Sequence, residues 1–229
     1  MIFNNLKRFD AILFDCDGVL VDSEPLTNGV LRDMLAELGW QMSATECFSR
    51  FVGKAVKDEM AAIEAHTGVR IDDAWLAQFR ARRDVQLLAH LQAVPHVQEA
   101  LAAAHAATAG RIACASGADR GKVELQLNKV GLAKWFAGQI YSGYEVPRTK
   151  PAPDVYLAAA AGLGVPPERC LVVEDSAVGA TAGVAAGCRV LAFVPPHAAA
   201  GTAQSMREVG AIEHFSSMQG LGALVASLA

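Results

Sequence analysis

The chain has 229 residues, of which 52% are hydrophobic and 19% are charged, and its formal net charge is −4. This composition is typical of a folded protein with a sizeable core. It lacks the basic block of a nucleic-acid-binding protein, the long apolar run of a membrane span and the N-terminal apolar segment of a signal peptide. We therefore expect a cytoplasmic protein, monomeric or weakly dimeric, that contacts neither nucleic acid nor a membrane.

The first predicted strand covers residues 11–14, which are all apolar. No strand pattern follows in residues 19–93. The spacing of apolar residues there instead predicts a series of helices, at residues 25–38, 44–51, 56–67 and 73–91. The sequence therefore predicts an all-helical cap domain of residues 19–93, inserted after the first strand.

An alternation of short strands and helices begins near Pro95. Further strands are predicted at residues 112–115, 139–141, 171–173 and 190–194. Between them, Asp119 and Ser176 can cap helices, and Pro153 suits a first helical turn. Short, continuously apolar strands joined by helices are typical of sheets buried on both faces. We predict an α/β fold with a Rossmann-like parallel sheet, formed by residues 1–18 and 94–229.

The first strand runs directly into Asp15-Cys16-Asp17-Gly18. In extended backbone, two carboxylates that are two residues apart project to the same side, and the glycine permits a sharp turn. A buried strand that ends in paired acids is costly unless a cation neutralises them. The motif fits a metal and nucleophile site, and it fits equally well a polar turn whose aspartates cap backbone N–H groups.

The later strands also end in groups suited to binding a phosphate or a cation. Ser116-Gly117 offers a hydroxyl and a backbone N–H, Lys150 lies in a loop with two prolines, and Glu174-Asp175 is a second acidic pair. Singly, each has an ordinary explanation as a turn serine, a surface lysine or a helix cap. In a parallel α/β sheet, however, the carboxyl ends of the strands form the ligand site. Four carboxylates with one lysine require a hard divalent cation, and an oxygen-rich site of this kind suits Mg²⁺.

The combination resembles the haloacid dehalogenase superfamily of phosphatases and mutases that form an aspartyl phosphate. Four features carry the resemblance: Asp-x-Asp-Gly at 15–18, the helical insert, Ser-Gly-Tyr…Lys-Pro-x-Pro-Asp at 142–154 and Val-Glu-Asp-Ser-x-x-Gly at 173–179. The resemblance covers nearly the whole chain and is strongest to the subgroup with β-phosphoglucomutase and small sugar-phosphate phosphatases. It implies a Mg²⁺-dependent phosphatase for a small phosphorylated metabolite, such as a sugar phosphate or a sugar-acid phosphate like 6-phosphogluconate.

The resemblance also implies a role for each matching residue. Asp15 would attack phosphorus and form the aspartyl phosphate, while Asp17 would protonate the leaving oxygen and then deprotonate the hydrolytic water. Ser116 would hydrogen-bond the phosphoryl group, and Lys150 would balance the charge of Asp15 and the phosphate. Mg²⁺ would be held by four residues, namely Asp15, Asp17 through its main-chain carbonyl, Glu174 and Asp175.

The sequence departs from the pattern of the superfamily in informative places. Gly117 stands where many relatives have Asn, so only a backbone N–H remains there for the substrate. The mutase branch has a His on the first cap helix where this chain has Thr27, which favours a phosphatase over the alternative, a phosphosugar mutase. In the cap, Gly53 and Lys54 match a loop that touches substrate, although Lys54 is equally well explained as a solvated charge. A response-regulator-type phospho-switch also groups aspartates and a lysine around Mg²⁺, but it lacks the helical insert.

Overall fold

The computed structural model of the chain describes residues 9–51 and 56–228. The chain divides into two compact units, one formed by Met1–Val21 with Ala93–Ala229 and the other by Asp22–Gln92. The chain stays with the first unit beyond residue 18 because Val21 forms bridges to Asp17 and Ala93. None of the described helices combines the length and the apolar character that crossing a membrane requires.

The first unit is built on a parallel sheet of six strands. They are β1 (Ala11–Phe14), β2 (Ile112–Ser116), β3 (Ile140–Ser142), β4 (Cys170–Glu174), β5 (Arg189–Phe193) and β6 (Glu213–Phe215), in the spatial order β3-β2-β1-β4-β5-β6. The order reverses between β1 and β4, and such a reversal opens a crevice at the carboxyl ends of the strands. The predicted α/β fold with a Rossmann-like parallel sheet is therefore confirmed.

The five predicted strands are present, and one strand was missed. The strand predicted at 139–141 lies one residue later, because Ser142 pairs with Ser116 at the end of β2. The missed strand is β6, whose sequence Glu-His-Phe has a single apolar residue and whose first two residues are exposed. An edge strand of this kind lacks the apolar run that marks the buried strands, so periodicity does not reveal it.

The second unit is helical in its described residues. Its helices are α1 (Glu24–Glu37), α2 (Ala44–Phe51), α3 (Met60–Thr67) and α4 (Asp73–His90). The predicted helix at 56–67 begins as a 3₁₀ turn, Val56–Glu59, before it becomes α3. The apolar faces of these helices enclose a core of their own, which includes Leu31, Leu35, Trp40, Ile63 and Phe79.

The remaining helices belong to the sheet unit. They are α5 (Val97–Ala107), α6 (Arg120–Lys129), α7 (Asp154–Gly162), α8 (Ala177–Ala185), α9 (Thr202–Glu208) and α10 (Leu221–Leu228). Two predicted caps are confirmed, since Asp119 accepts from the backbone N–H of Lys122 and Ser176 accepts from that of Gly179. Pro153 immediately precedes α7 as its N-terminal cap residue, one position earlier than predicted.

Candidate active site

Polar groups that follow three of the strands meet at the carboxyl edge of the sheet. Asp15 directly follows β1, Glu174 ends the neighbouring strand β4, and Lys150 comes from the loop after β3. Asp15, Glu174 and Asp175 can each place a carboxylate oxygen within 4.8 Å of the others. Because β1 and β4 flank the point where the strand order reverses, this cluster occupies the usual ligand position of an open α/β sheet.

Lys150 joins the two acidic strand ends. Its Nζ donates to Asp15 Oδ1 at 2.6 Å and to Glu174 Oε1 at 2.7 Å, and its side chain is only 8% exposed. Burial opposes the charged form, but the negative charges of Asp15 and Glu174 outweigh it and raise the pKa of Lys150 well above its ordinary value. Lys150 is therefore a fixed cation between two carboxylates.

Glu174 is held by donors on both of its oxygens. Oε1 also accepts from the Tyr156 hydroxyl at 2.9 Å. Oε2 accepts from the backbone N–H groups of Asp175 and Ser176 at 3.0 and 3.1 Å, and from the Ser176 hydroxyl at 3.0 Å. The Tyr156 ring further supports Lys150, whose Nζ lies 4.6 Å from the ring centroid. These contacts fix the orientation of the Glu174 carboxylate.

Tyr156 is a site residue that the sequence analysis missed. It lies on α7 and is fully buried, in a position that an apolar residue would normally fill. Burial, together with the negative charge of Glu174, raises the pKa of Tyr156 well above its ordinary value, so its hydroxyl stays protonated and donates. The signal available in the sequence was its place on the helix that directly follows the Lys-Pro-x-Pro-Asp motif.

The proposed nucleophile, Asp15, is only 7% exposed. Burial raises the pKa of Asp15 to about 7, since its effect exceeds the attraction of Lys150 and is reinforced by the negative charges of Glu174 and Asp17. The surroundings of Asp15 therefore disfavour its ionised form, which a cation bound beside it would favour. The raised pKa of Asp15 shows that the positive charge of Lys150 does not fully balance the burial of the acids and their mutual repulsion.

Two glycines let backbone approach the acidic groups closely. Gly18 has a φ of +78°, and a Cβ there would overlap the carboxylate of Asp175. A Cβ at Gly179 would likewise overlap the carboxylate of Glu174. The sharp turn predicted at Gly18 is confirmed, and any side chain at either position would push an acid away from the cluster.

Asp17 has partners of its own. Its Oδ1 accepts from Lys122 Nζ and from Gln126 Nε2, both at 2.8 Å. Among the described residues, the carboxylates close enough to share a cation are those of Asp15, Glu174 and Asp175, so the Asp17 side chain lies apart from them. Lys122 and Gln126 were not singled out from the sequence. The only available signal was their position one turn apart on the helix that Asp119 caps.

Ser116 and Gly117 form the turn at the end of β2. Ser116 is buried, and its Oγ accepts from the backbone N–H of Ala118 at 3.1 Å. A Cβ at Gly117 would make an ordinary contact, 3.6 Å from Thr149 Oγ1, so the backbone could carry a larger residue there. The absence of a side chain at 117 therefore leaves space beside the site. The cap candidates Gly53 and Lys54 lie outside the described residues.

The donors and the charge of the cluster fit a divalent cation. Three carboxylates and the single ammonium of Lys150 leave two formal negative charges, and all three acids offer hard oxygen ligands. The pKa of Asp15, raised by burial despite Lys150, points the same way. The residues that would hold such a cation are Asp15, Glu174 and Asp175.

Comparisons with known proteins agree with this geometry. A family model described as haloacid dehalogenase-like hydrolase matches residues 9–187. The 6-phosphogluconate phosphatase of Escherichia coli is 30% identical over 195 residues, which cover 84% of this chain and 86% of that protein. A conserved haloacid dehalogenase-like protein from Agrobacterium tumefaciens aligns with a TM-score of 0.80 and 34% identity, covering 96% of this chain and 99% of the other. A HAD family hydrolase from Deinococcus radiodurans, solved with bound phosphate and sodium, aligns with a TM-score of 0.78 and 34% identity over 96% of each chain.

These matches confirm the resemblance inferred from the motifs and the prediction of a hydrolytic enzyme. The family model begins before Asp15 and ends beyond Asp175, so it spans all of the acids at the sheet edge. It also covers more than half of the chain, and the similarity to the solved structures extends over nearly all of it. The chain therefore belongs to the haloacid dehalogenase-like hydrolase family.

Proposed function

We propose that this chain is a Mg²⁺-dependent phosphoric monoester hydrolase that acts on small sugar phosphates or sugar-acid phosphates through an aspartyl phosphate on Asp15. The observation that carries the proposal is the contact of buried Asp15 with Lys150, beside Glu174 and Asp175. The relative named 6-phosphogluconate phosphatase supports a phosphorylated sugar acid as substrate, and the phosphate bound in the Deinococcus hydrolase supports a phosphate site.

In the first half-reaction, a carboxylate oxygen of Asp15 attacks phosphorus and the ester oxygen of the substrate departs. A carboxylate and a phosphate dianion repel each other, and the fixed ammonium of Lys150 offsets part of that repulsion. Ser116 and the backbone at Gly117 lie at the end of the neighbouring strand, where they can hydrogen-bond the phosphoryl oxygens. Covalent transfer to Asp15 divides one difficult displacement into two easier ones.

Asp17 moves the protons in both half-reactions. It protonates the departing ester oxygen first, and it then takes a proton from the water that attacks the aspartyl phosphate. Lys122 and Gln126 hold its carboxylate by two hydrogen bonds of 2.8 Å. The helical unit, Asp22–Gln92, is proposed to act as the cap that recognises the rest of the substrate through Gly53 and Lys54.

Mg²⁺ would be held by the side chains of Asp15, Glu174 and Asp175, together with the main-chain carbonyl of Asp17. When bound, it supplies charge neutralisation for the nucleophile and the phosphoryl oxygens. Lys150 and Tyr156 already fix the orientation of the Glu174 carboxylate, so binding of the cation would require little reorganisation of that ligand.

Mg²⁺ and a proton are expected to compete for Asp15. Since the pKa of Asp15 is raised to about 7, binding of the cation below that pH must displace a proton. The apparent affinity for Mg²⁺ should therefore rise about tenfold per pH unit from pH 5 to 7 and level off above pH 8. Calorimetry in two buffers of different ionisation enthalpy measures the protons released. An affinity independent of pH between 5 and 7 would remove Asp15 from the ligand set.

The activity itself is tested by a phosphate-release screen across phosphorylated sugars, sugar acids, polyols and nucleotides, with and without Mg²⁺. We expect release from sugar phosphates or sugar-acid phosphates in the presence of Mg²⁺ and its loss with a chelator. An isomerised phosphosugar that forms without release of phosphate would contradict the proposal in favour of mutase chemistry. No turnover of any ester in the panel would contradict it outright.

A further inference from the structure

Lys122 and Gln126 are polar residues that are buried in the sheet unit. Lys122 is 8% exposed and Gln126 is fully buried, and they lie one turn apart on α6. A buried ammonium costs free energy unless it is paired, and lysine is rarely found at such positions. Burial of Lys122 therefore requires an anionic or hydrogen-bonding partner that offsets the cost of removing its ammonium from water.

That partner is Asp17, which is more than 100 residues away in sequence. Lys122 Nζ and Gln126 Nε2 donate to the same carboxylate oxygen of Asp17, at 2.8 Å each. The Gln126 amide is oriented by a second contact, since its Oε1 accepts from the Cys16 thiol at 3.5 Å. One oxygen of Asp17 is thus fixed by a cation and by an amide whose direction is itself set by the residue between Asp15 and Asp17.

The helix that carries Lys122 and Gln126 is itself held in place by a cap and by packing. Asp119 caps α6 by accepting from the backbone N–H of Lys122 at 2.9 Å, which anchors the first turn of the helix. The same helix contacts β3, and its apolar residues Val123 and Leu127 are fully buried. Lys122 and Gln126 therefore project from a helix that is capped and packed, so their donors have little freedom to move.

We propose that Lys122 and Gln126 are positioning residues that hold the Asp17 carboxylate where it exchanges protons with the substrate and with water. The inference rests on the proposed function, in which Asp17 is the general acid and base. A proton donor that is misplaced by about 1 Å loses much of its effect, so a clamp on one oxygen of Asp17 contributes directly to the rate. The two residues touch Asp17 and act through it.

The leaving group provides the test. An alkyl phosphate such as 6-phosphogluconate needs a proton on its departing oxygen, whereas p-nitrophenyl phosphate releases an anion that is stable without one. The parameter kcat/KM reports steps up to the first irreversible one, the transfer to Asp15. The variants are Lys122→Met and Gln126→Met, which keep side-chain length and remove the donors. Lys129→Met is the matched control, because it removes the same charge from an exposed position of the same helix.

We expect each of the two variants to lose roughly 10- to 100-fold in kcat/KM with 6-phosphogluconate and less than about threefold with p-nitrophenyl phosphate. Lys129→Met should change neither value. Equal losses with both esters, or no loss with either, would overturn the inference. If Lys122→Met does not fold, Gln126→Met, which alters no charge, decides the question by the same comparison. Full activity of Asp15→Asn would instead overturn the proposed function, so the two failures are distinguishable.

Discussion

Asp15→Asn is expected to lower kcat by at least about 10⁴-fold while leaving the metal-free protein at least as stable as the native chain. Asparagine has the shape of aspartate but carries no charge, so the nucleophile is lost and its space is kept. In the native cluster, three acids face one ammonium, and removal of one negative charge relieves their mutual repulsion. Loss of activity without loss of stability indicates that the native residue serves catalysis and not folding.

The stability difference should depend on pH in a defined direction. The pKa of Asp15 is raised from 3.8 to about 7, so between these values the folded protein binds a proton that the unfolded chain releases. The free energy of unfolding of the native protein therefore falls as the pH rises through this window, and Asp15→Asn lacks this contribution. In chemical denaturation without metal, the free energy of unfolding of the variant should rise relative to that of the native protein from pH 4 to 7. Above pH 8 the difference between the two should be constant.

Added Mg²⁺ supplies the control for that measurement. A ligand that binds only the folded state stabilises it by an amount that grows with the logarithm of its affinity, and the native site has one more anionic ligand than the variant. Mg²⁺ should therefore stabilise the native protein more than Asp15→Asn. If the metal-free variant is clearly less stable than the native protein at pH 8, the electrostatic account of the cluster is wrong.

Lys150→Met is expected to reduce both activity and stability. Methionine fills the space of the lysine stem but leaves Asp15 and Glu174 buried without the cation that joins them. Breaking a buried pair by removing one partner typically costs about 3–5 kcal/mol. Loss of a group that stabilises charge in the transition state should also lower kcat by about 10²- to 10³-fold.

The stability deficit of Lys150→Met should shrink toward low pH. The pKa of Lys150 is raised well above its ordinary value by its two carboxylates, so the native ammonium is present throughout pH 5–9. In the variant, the acids left behind can be neutralised by protonation, and the penalty for burying them then falls. Lys129→Met, on an exposed face of the same unit, is the matched control and should leave stability and activity unchanged. A deficit that is the same at pH 5 and pH 8 would contradict this explanation.

The buried strands and the acids at their ends could be predicted because their signals are local. Asp15 follows four consecutive apolar residues, and Glu174 follows three, so the point where the chain leaves the sheet is marked in the sequence. The parallel α/β rule then places such points at one edge. Strand β6 carries no such signal, because an exposed edge strand needs no apolar run.

The supporting residues could not be predicted in the same way. Tyr156, Lys122 and Gln126 lie in the middle of helices, where a tyrosine, a lysine or a glutamine is unremarkable. Their roles arise from contacts with Glu174 and Asp17 across separations of 18 to 109 residues. No spacing rule within a helix reveals a partner that far away, and only the packed fold brings the two together.

The most direct test of the central claim, that Asp15 takes the phosphoryl group, uses Asp17→Asn with p-nitrophenyl phosphate and Mg²⁺. The first transfer needs no acid with this leaving group, whereas hydrolysis of the aspartyl phosphate needs the missing base. We predict a burst of about one nitrophenolate per active site, followed by slow turnover. Acid quenching and borohydride reduction should then convert residue 15, and no other carboxylate, to homoserine. Continued turnover without a burst, with residue 15 unmodified, would contradict the account. Conversion of a different carboxylate residue by borohydride would contradict it as well.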